Sequence, residues 1–170
     1  NITINDYDIF ILSKQKTLIQ SGFEVGSLNK NLVPFQDFIV RRALKAGKYA
    51  IFADCGLGKT FMQIEWEKLV NEYTGKPVLI LCPLAVAGQT IKEGEKFDIK
   101  VIKSSCDILH PHFAPIQIAN YDQLINIDTS IFGGIVLDES SILKNFEGAT
   151  KNLIIEKFKD TPYKLTCTAT

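Results

Sequence analysis

Short apolar runs alternate along the chain with longer stretches in which apolar residues recur every three or four positions. The first pattern suits strands buried on both faces, and the second suits helices with one apolar side. Strands are predicted over residues 49–53, 78–82, 99–102, 116–119, 135–137 and 163–167. Helices are predicted over residues 35–45, 59–73, 87–97 and 141–158, the last with a break near Gly148. Pro34 opens the first of these, and Gly75 with Pro77 closes the second, as helix ends favour. Tyr7, Phe10, Ile11 and Leu18 form a partial apolar face that predicts a further helix over residues 6–21. Ser21-Gly22 and Gly26-Ser27 mark a loop after it. Buried strands alternating with helices imply an α/β domain of three layers, a central mostly parallel sheet with helices on both faces. In such sheets ligands bind beyond the carboxyl ends of the strands.

Composition narrows the function without changing the fold. A length of 170 residues is enough for one compact domain and too little for two large ones. Lysine plus arginine equals aspartate plus glutamate at 19 each, so the net charge is zero. Zero charge excludes nucleic-acid binding through bulk charge; any such contact must be local or supplied by another part. No apolar run is long enough to span a bilayer, and no basic stretch leads into an apolar one near the start. A cytoplasmic protein with no membrane partner is the expectation. The sequence does not begin with Met, so a piece of a longer chain is expected. Cys55, Cys82, Cys106 and Cys167 include no Cys-x-x-Cys pair and read as reduced structural thiols. His110 and His112 flank Pro111 and read as a turn rather than a metal site.

Two motifs fall at predicted strand ends. Ala53-Asp54-Cys55-Gly56-Leu57-Gly58-Lys59-Thr60 follows a strand and opens a helix, the setting a phosphate-binding loop requires. Its glycines let the backbone wrap closely around phosphate oxygens. The loop amides and the helix N-terminus supply fixed positive potential for an anion. Lys59 has the reach for the β- and γ-phosphates, and the Thr60 hydroxyl is a ligand for Mg2+. The strict pattern has glycine where this chain has Ala53.

The second motif is Ile135-Val136-Leu137-Asp138-Glu139-Ser140-Ser141, an apolar strand ending in two carboxylates. Asp138 at the strand tip is placed to hold Mg2+, and Glu139 to orient or deprotonate the attacking water. The second carboxylate points to hydrolysis of ATP rather than phosphoryl transfer to a small molecule.

Together these motifs resemble those of superfamily-two helicases, the Swi/Snf-like branch in particular. More narrowly, the chain is similar to the amino-terminal part of bacteriophage and prophage DEAD/DEAH-type helicases. The similarity runs along nearly the whole chain. It includes Gly22-Phe23-Glu24, Pro34-Phe35-Gln36, Phe52-Ala53-Asp54, the block from Cys82 to Gln89, Asn120-Tyr121-Asp122, Leu137 to Ser141, and Thr166 to Thr170. The resemblance implies a RecA-like P-loop NTPase domain over residues 34–170 after an N-terminal helical extension over residues 1–33. It implies that Gln36 reads the adenine edge, which an amide suits because it both donates and accepts. Cys55, Gly56, Leu57 and Gly58 join Lys59 and Thr60 in the ATP-binding loop. Pro83, Leu84 and Gln89, with Asn120 and Tyr121, are implied to lie on or near the nucleic-acid track. Ser141, Thr168 and Thr170 are implied to couple the ATP site to a partner domain.

There are departures. Ser140 and Ser141 stand where better-known relatives have Ala-Asp or Ala-His, which bears on signalling to the partner domain rather than on Mg2+ binding. Family members continue into a second RecA-like domain, with the arginine fingers and half the nucleic-acid track, whereas this sequence ends at Thr170. The implied function is the ATP-binding motor domain of a nucleic-acid-dependent ATPase, a helicase or duplex translocase, using ATP and Mg2+ and favouring DNA over RNA. The 170 residues alone are expected to bind nucleotide weakly and turn it over poorly. The alternative is a nucleotide-gated scaffold or other non-motor ATPase module.

Overall fold

The computed structural model describes residues 20–54, 56–103, 114–138 and 148–168. Helix α1 (Pro34–Ala46) starts on its proline and buries Gln36, Val40, Ala43 and Leu44, spaced along one face. Strand β1 (Lys48–Phe52) follows, then helix α2 (Lys59–Thr74) and strand β2 (Val78–Leu81). Helix α3 (Leu84–Lys96) and strands β3 (Val101–Lys103) and β4 (Ile116–Ala119) come next. Two short 3-10 turns, Tyr121–Asn126 and Thr129–Ile131, lead into β5 (Gly134–Leu137). Helix α4 (Gly148–Lys157) and strand β6 (Tyr163–Thr168) complete the described chain.

The six strands form one sheet in the order β1-β6-β5-β2-β4-β3, and every pairing is parallel. Residues in register share a face, so the pairings sort the core into two layers. Ile51, Cys167, Leu165, Val136 and Val78 pack under α1 and α2, through Val40, Leu44, Met62, Trp66 and Val70. On the same side, Ile80, Ile116 and Ile118 pack with Ile64 of α2 and Ala87 of α3. The opposite face, with Leu79, Leu81 and Ile135, is covered by Ile154 and Phe158 and by Tyr121, Leu124 and Phe132 near the 3-10 turns. The expected three layers are therefore present, with the sheet wholly parallel.

Helix α2 lies between α1, α3 and the sheet, so it is buried along most of its length; Trp66, Met62 and Ile64 are fully buried. Residues ahead of α1 share its core. Phe23 is buried and stacks on Tyr73 with ring centroids 3.9 Å apart. Val25, Leu28 and Leu32 pack beside it.

Three sequence expectations shift. The helix predicted from residue 87 begins at Leu84, because Pro83 supplies an extended residue from which the first turn starts at once. The strand predicted from residue 99 begins at Val101. Ile99 instead donates its N–H to the Gly94 carbonyl at 2.9 Å and finishes the preceding helix. The 3-10 turns were not predicted. The helix expected over residues 6–21 lies outside the described residues except for Gln20 and Ser21, which are not helical. The stretch 141–147 also lies outside them.

Candidate functional site

Strand order brings the motifs together. Phe52 at the tip of β1 pairs with Thr168 on β6, Thr166 pairs with Leu137 on β5, and Leu137 pairs with Leu81 on β2. The loop after β1, Thr168, Asp138 and the start of α3 therefore stand side by side at the carboxyl edge of the sheet. They border a cleft of about 530 Å³ lined by Asp54, Gly56, Gly58, Lys59, Thr60, Phe61, Val86, Gln89, Glu93 and Asp138. That volume lies within the ordinary range for small-molecule sites.

The loop is shaped by backbone as much as by side chains. Gly56 and Gly58 take φ of 87° and 72°, a region that L side chains rarely adopt. Gly58 caps α2 without a side-chain hydrogen bond, and the first turn carries no acidic residue. The positive dipole end of α2 is thus turned toward the cleft with no acidic side chain in its first turn, a setting that suits an anion. Gln36 secures the loop from α1. Its Nε2 donates to the Leu57 carbonyl at 2.9 Å, while its Oε1 accepts from the Val33 N–H at 3.1 Å. A Cβ on Gly58 would collide with the Gln36 amide nitrogen. The family resemblance implied an adenine role for Gln36, and the sequence itself gave no sign of this contact, because 21 positions separate it from Leu57.

On the acidic side, Asp138 is 4% exposed. Its N–H donates to the Leu81 carbonyl at 2.8 Å, and its carbonyl accepts from the Tyr121 hydroxyl at 3.0 Å. Tyr121 is buried, so it holds the Asp138 strand tip from beneath. Asn120 caps the following 3-10 turn; its Oδ1 accepts from the Gln123 N–H at 3.0 Å. Beneath the cleft, burial pushes the Cys82 thiol up to about 12, with the negative charges of Asp138 and Glu67 adding to it. Burial also pushes the Cys167 thiol up, and the same two charges reinforce it. Both are free, buried thiols. Lys59, Thr60 and Asp138 offer an ammonium, a hydroxyl and a carboxylate in one cleft, a donor set that suits Mg2+ held together with phosphate oxygens.

The structure places the remaining expectations as follows. Leu84 is 61% exposed on the first turn of α3, with Pro83 beside it. Gln89, also exposed, lines the cleft with Lys59. Thr168 ends β6 next to the loop, and its carbonyl accepts from the Ala53 N–H at 3.2 Å. Cys55, Glu139, Ser140, Ser141 and Thr170 lie outside the described residues, as do Cys106, His110 and His112. Among the described residues no helix is long and apolar enough to cross a membrane.

No protein-family model matches the sequence, and no curated protein matches it as a relative. Solved structures do match. The UvsW helicase from Bacteriophage T4 aligns over 99% of this chain and 61% of its own, with a TM-score of 0.69 and 17% identity. The Sulfolobus solfataricus SWI2/SNF2 ATPase core in complex with dsDNA aligns over 87% of this chain and 34% of its own, with a TM-score of 0.73 and 21% identity. The Pyrococcus furiosus Hef helicase domain aligns over 85% and 35%, with a TM-score of 0.67 and 17% identity. The chain thus spans from about a third to three-fifths of these proteins. The fold is RecA-like, shared with the aligned parts of these helicases and of the SWI2/SNF2 ATPase core. Its neighbours include the phage and Swi/Snf types that the motifs resemble.

Proposed function

We propose that this chain is the first RecA-like domain of a nucleic-acid-dependent ATPase motor of superfamily two, which hydrolyses ATP to ADP and phosphate. The observation that carries the reading is the meeting of Lys59, Thr60 and Asp138 in one cleft beyond the strand tips. The loop amides and the α2 N-terminus bind the phosphates, and Lys59 neutralises the β- and γ-oxygens. Thr60 and Asp138 would hold Mg2+, which supplies charge neutralisation between the phosphates. Glu139, next to Asp138 in sequence, orients the attacking water and takes its proton. Gln36, already against the loop, offers its amide to the adenine edge when nucleotide enters.

Pro83 and Leu84, at the exposed start of α3, and Asn120 at the tip of β4 lie on the nucleic-acid track. DNA is the favoured partner, a preference supported by a phage helicase and a dsDNA-bound ATPase core among the structural neighbours. Net charge of zero makes these contacts local. A second RecA-like domain, with Ser141, Thr168 and Thr170 as its coupling residues, completes the site. Arginine fingers brought by such a domain are worth about 10³ to 10⁵ in rate in other phosphate-loop enzymes. The 170 residues alone therefore bind nucleotide and turn it over slowly.

Calorimetric titration with ADP and ATP in Mg2+ tests the nucleotide site. The chain binds both, and Lys59→Ala weakens binding at least about tenfold, the loss expected for one charge-assisted phosphate contact. Equal binding by Lys59→Ala and the parent would remove the cleft from consideration.

A further inference from the structure

Helix α3 presents two faces. Ala87, Thr90 and Gly94 are buried, and Ile91 packs with them against the β3–β4 side of the sheet. Val86, Gln89 and Glu93, spaced at three and four positions, line the cleft with Lys59, Thr60 and Asp138. Two features fix which face points where. A Cβ on Gly94 would lie 2.6 Å from the Ile99 carbonyl oxygen and 2.9 Å from Val101, so the helix backbone sits hard against β3 and cannot rotate. At the far end, Phe97 stacks on Phe61, ring centroids 3.5 Å apart and planes within 8°. Phe61 directly follows Thr60, so α3 is clamped to the first turn of the phosphate-loop helix. The helix that carries Gln89 and Glu93 along the cleft wall is thus held in place by packing.

Glu93 is an odd choice for the wall of a bare anion site. Its side chain is 27% exposed and pairs with Lys96 at 2.9 Å. The exposed Lys96 ammonium offsets only part of that charge, and the remainder repels nearby phosphate oxygens unless a further cation intervenes. Gln89 carries no charge and donates through its amide. We propose that Gln89 and Glu93 are positioning residues of the nucleotide cleft. Gln89 donates to a phosphate oxygen, and Glu93 makes tight binding conditional on Mg2+, acting on the ion's water shell and penalising metal-free nucleotide. This assignment rests on the nucleotide-site reading above, and it places Gln89 with the nucleotide rather than on the nucleic-acid track.

The test compares ADP affinity with and without Mg2+ in the intact protein and its variants. Glu93→Gln lowers the ratio of the two affinities about three- to tenfold, chiefly by tightening metal-free binding, as expected for removing one nearby like charge. Gln89→Ala weakens binding about three- to tenfold in both conditions, as expected for one lost hydrogen bond. Glu95→Gln removes the same charge from an exposed position that does not line the cleft, and leaves the ratio unchanged. A Glu93→Gln ratio equal to the parent's, with Lys59→Ala still impaired, overturns this assignment and leaves the nucleotide site standing. Lys59→Ala unimpaired overturns the site itself. Duplex DNA affinity measured alongside separates the roles of Gln89: a loss there, with ADP binding intact, returns it to the nucleic-acid track.

Discussion

Gln36 joins α1 to the glycine-rich loop ahead of α2 with one amide, accepting from Val33 and donating to Leu57. That contact exists because Gly58 has no Cβ and sits at a φ of 72°. Gly58→Ala is therefore strained twice, in its backbone and against Gln36. We expect it to cost about 1–3 kcal/mol in denaturant unfolding and to weaken ADP binding more than Gln36→Ala does. Cys82 and Cys167 illustrate the opposite case, residues whose chemistry is silenced by place. Both are fully buried, and their thiols are held well above the usual range by burial and by Asp138 and Glu67. Under native conditions at pH 8 a thiol reagent should label them only as fast as the protein opens, and denaturant should release both. Their structural role was legible in the sequence, since each sits in a predicted buried strand. The Gln36–Leu57 contact was not, because it depends on how two distant segments meet.

At the scale of elements, α2 carries a buried polar stripe that its pattern did not announce. Gln63 and Glu67 lie one turn apart and are fully buried. Their side-chain polar atoms have no hydrogen-bond partner among the described residues. Burial raises the Glu67 carboxyl well above the ordinary 4.5; the nearby Gln63 amide opposes this, and the charge of Asp138 adds to it. The Gln63 and Glu67 groups do not meet hydrogen-bonding geometry, so burial dominates. An acid with a raised folded pKa contributes most below its unfolded value, and that contribution fades as pH rises toward the folded one. Glu67→Met should therefore stabilise the nucleotide-free chain by about 1–3 kcal/mol at pH 7, with the gain shrinking as pH falls to about 4.5. Urea unfolding at several pH values checks this; a gain that grows on acidification would contradict it.

The same scale shows why some boundaries were legible. Strands β2, β4 and β5 came within one residue of their predicted ends, because short, mostly apolar runs bounded by proline, glycine or polar residues leave little choice. Helix α3 began three residues early, because nothing in Leu84-Ala85-Val86 distinguishes a strand exit from a first helical turn. The 3-10 turns were hidden for a related reason. Their apolar residues cover one sheet face without the period of either a helix or a strand.

For the whole molecule, the parallel sheet and its three layers were legible in the alternation of runs and periodic stretches. The strand order was not, and the order makes the site. Placing β6 and β5 between β1 and β2 sets Lys59, Thr168 and Asp138 on neighbouring tips. It also draws the α3 wall, with Gln89 and Glu93, into the cleft. The family resemblance implied the nucleic-acid track for Gln89. The proposed function concerns work done by a larger assembly: a domain that binds ATP and, joined to a second RecA-like domain, drives movement on nucleic acid. The most direct measurement is steady-state phosphate release by the protein containing both domains, with duplex DNA, single-stranded DNA and RNA compared at one salt concentration. The account predicts a rise of at least about tenfold with DNA, abolished by Lys59→Ala and by Glu139→Gln. A rate unmoved by any nucleic acid, from a protein that binds ATP through Lys59, would contradict it.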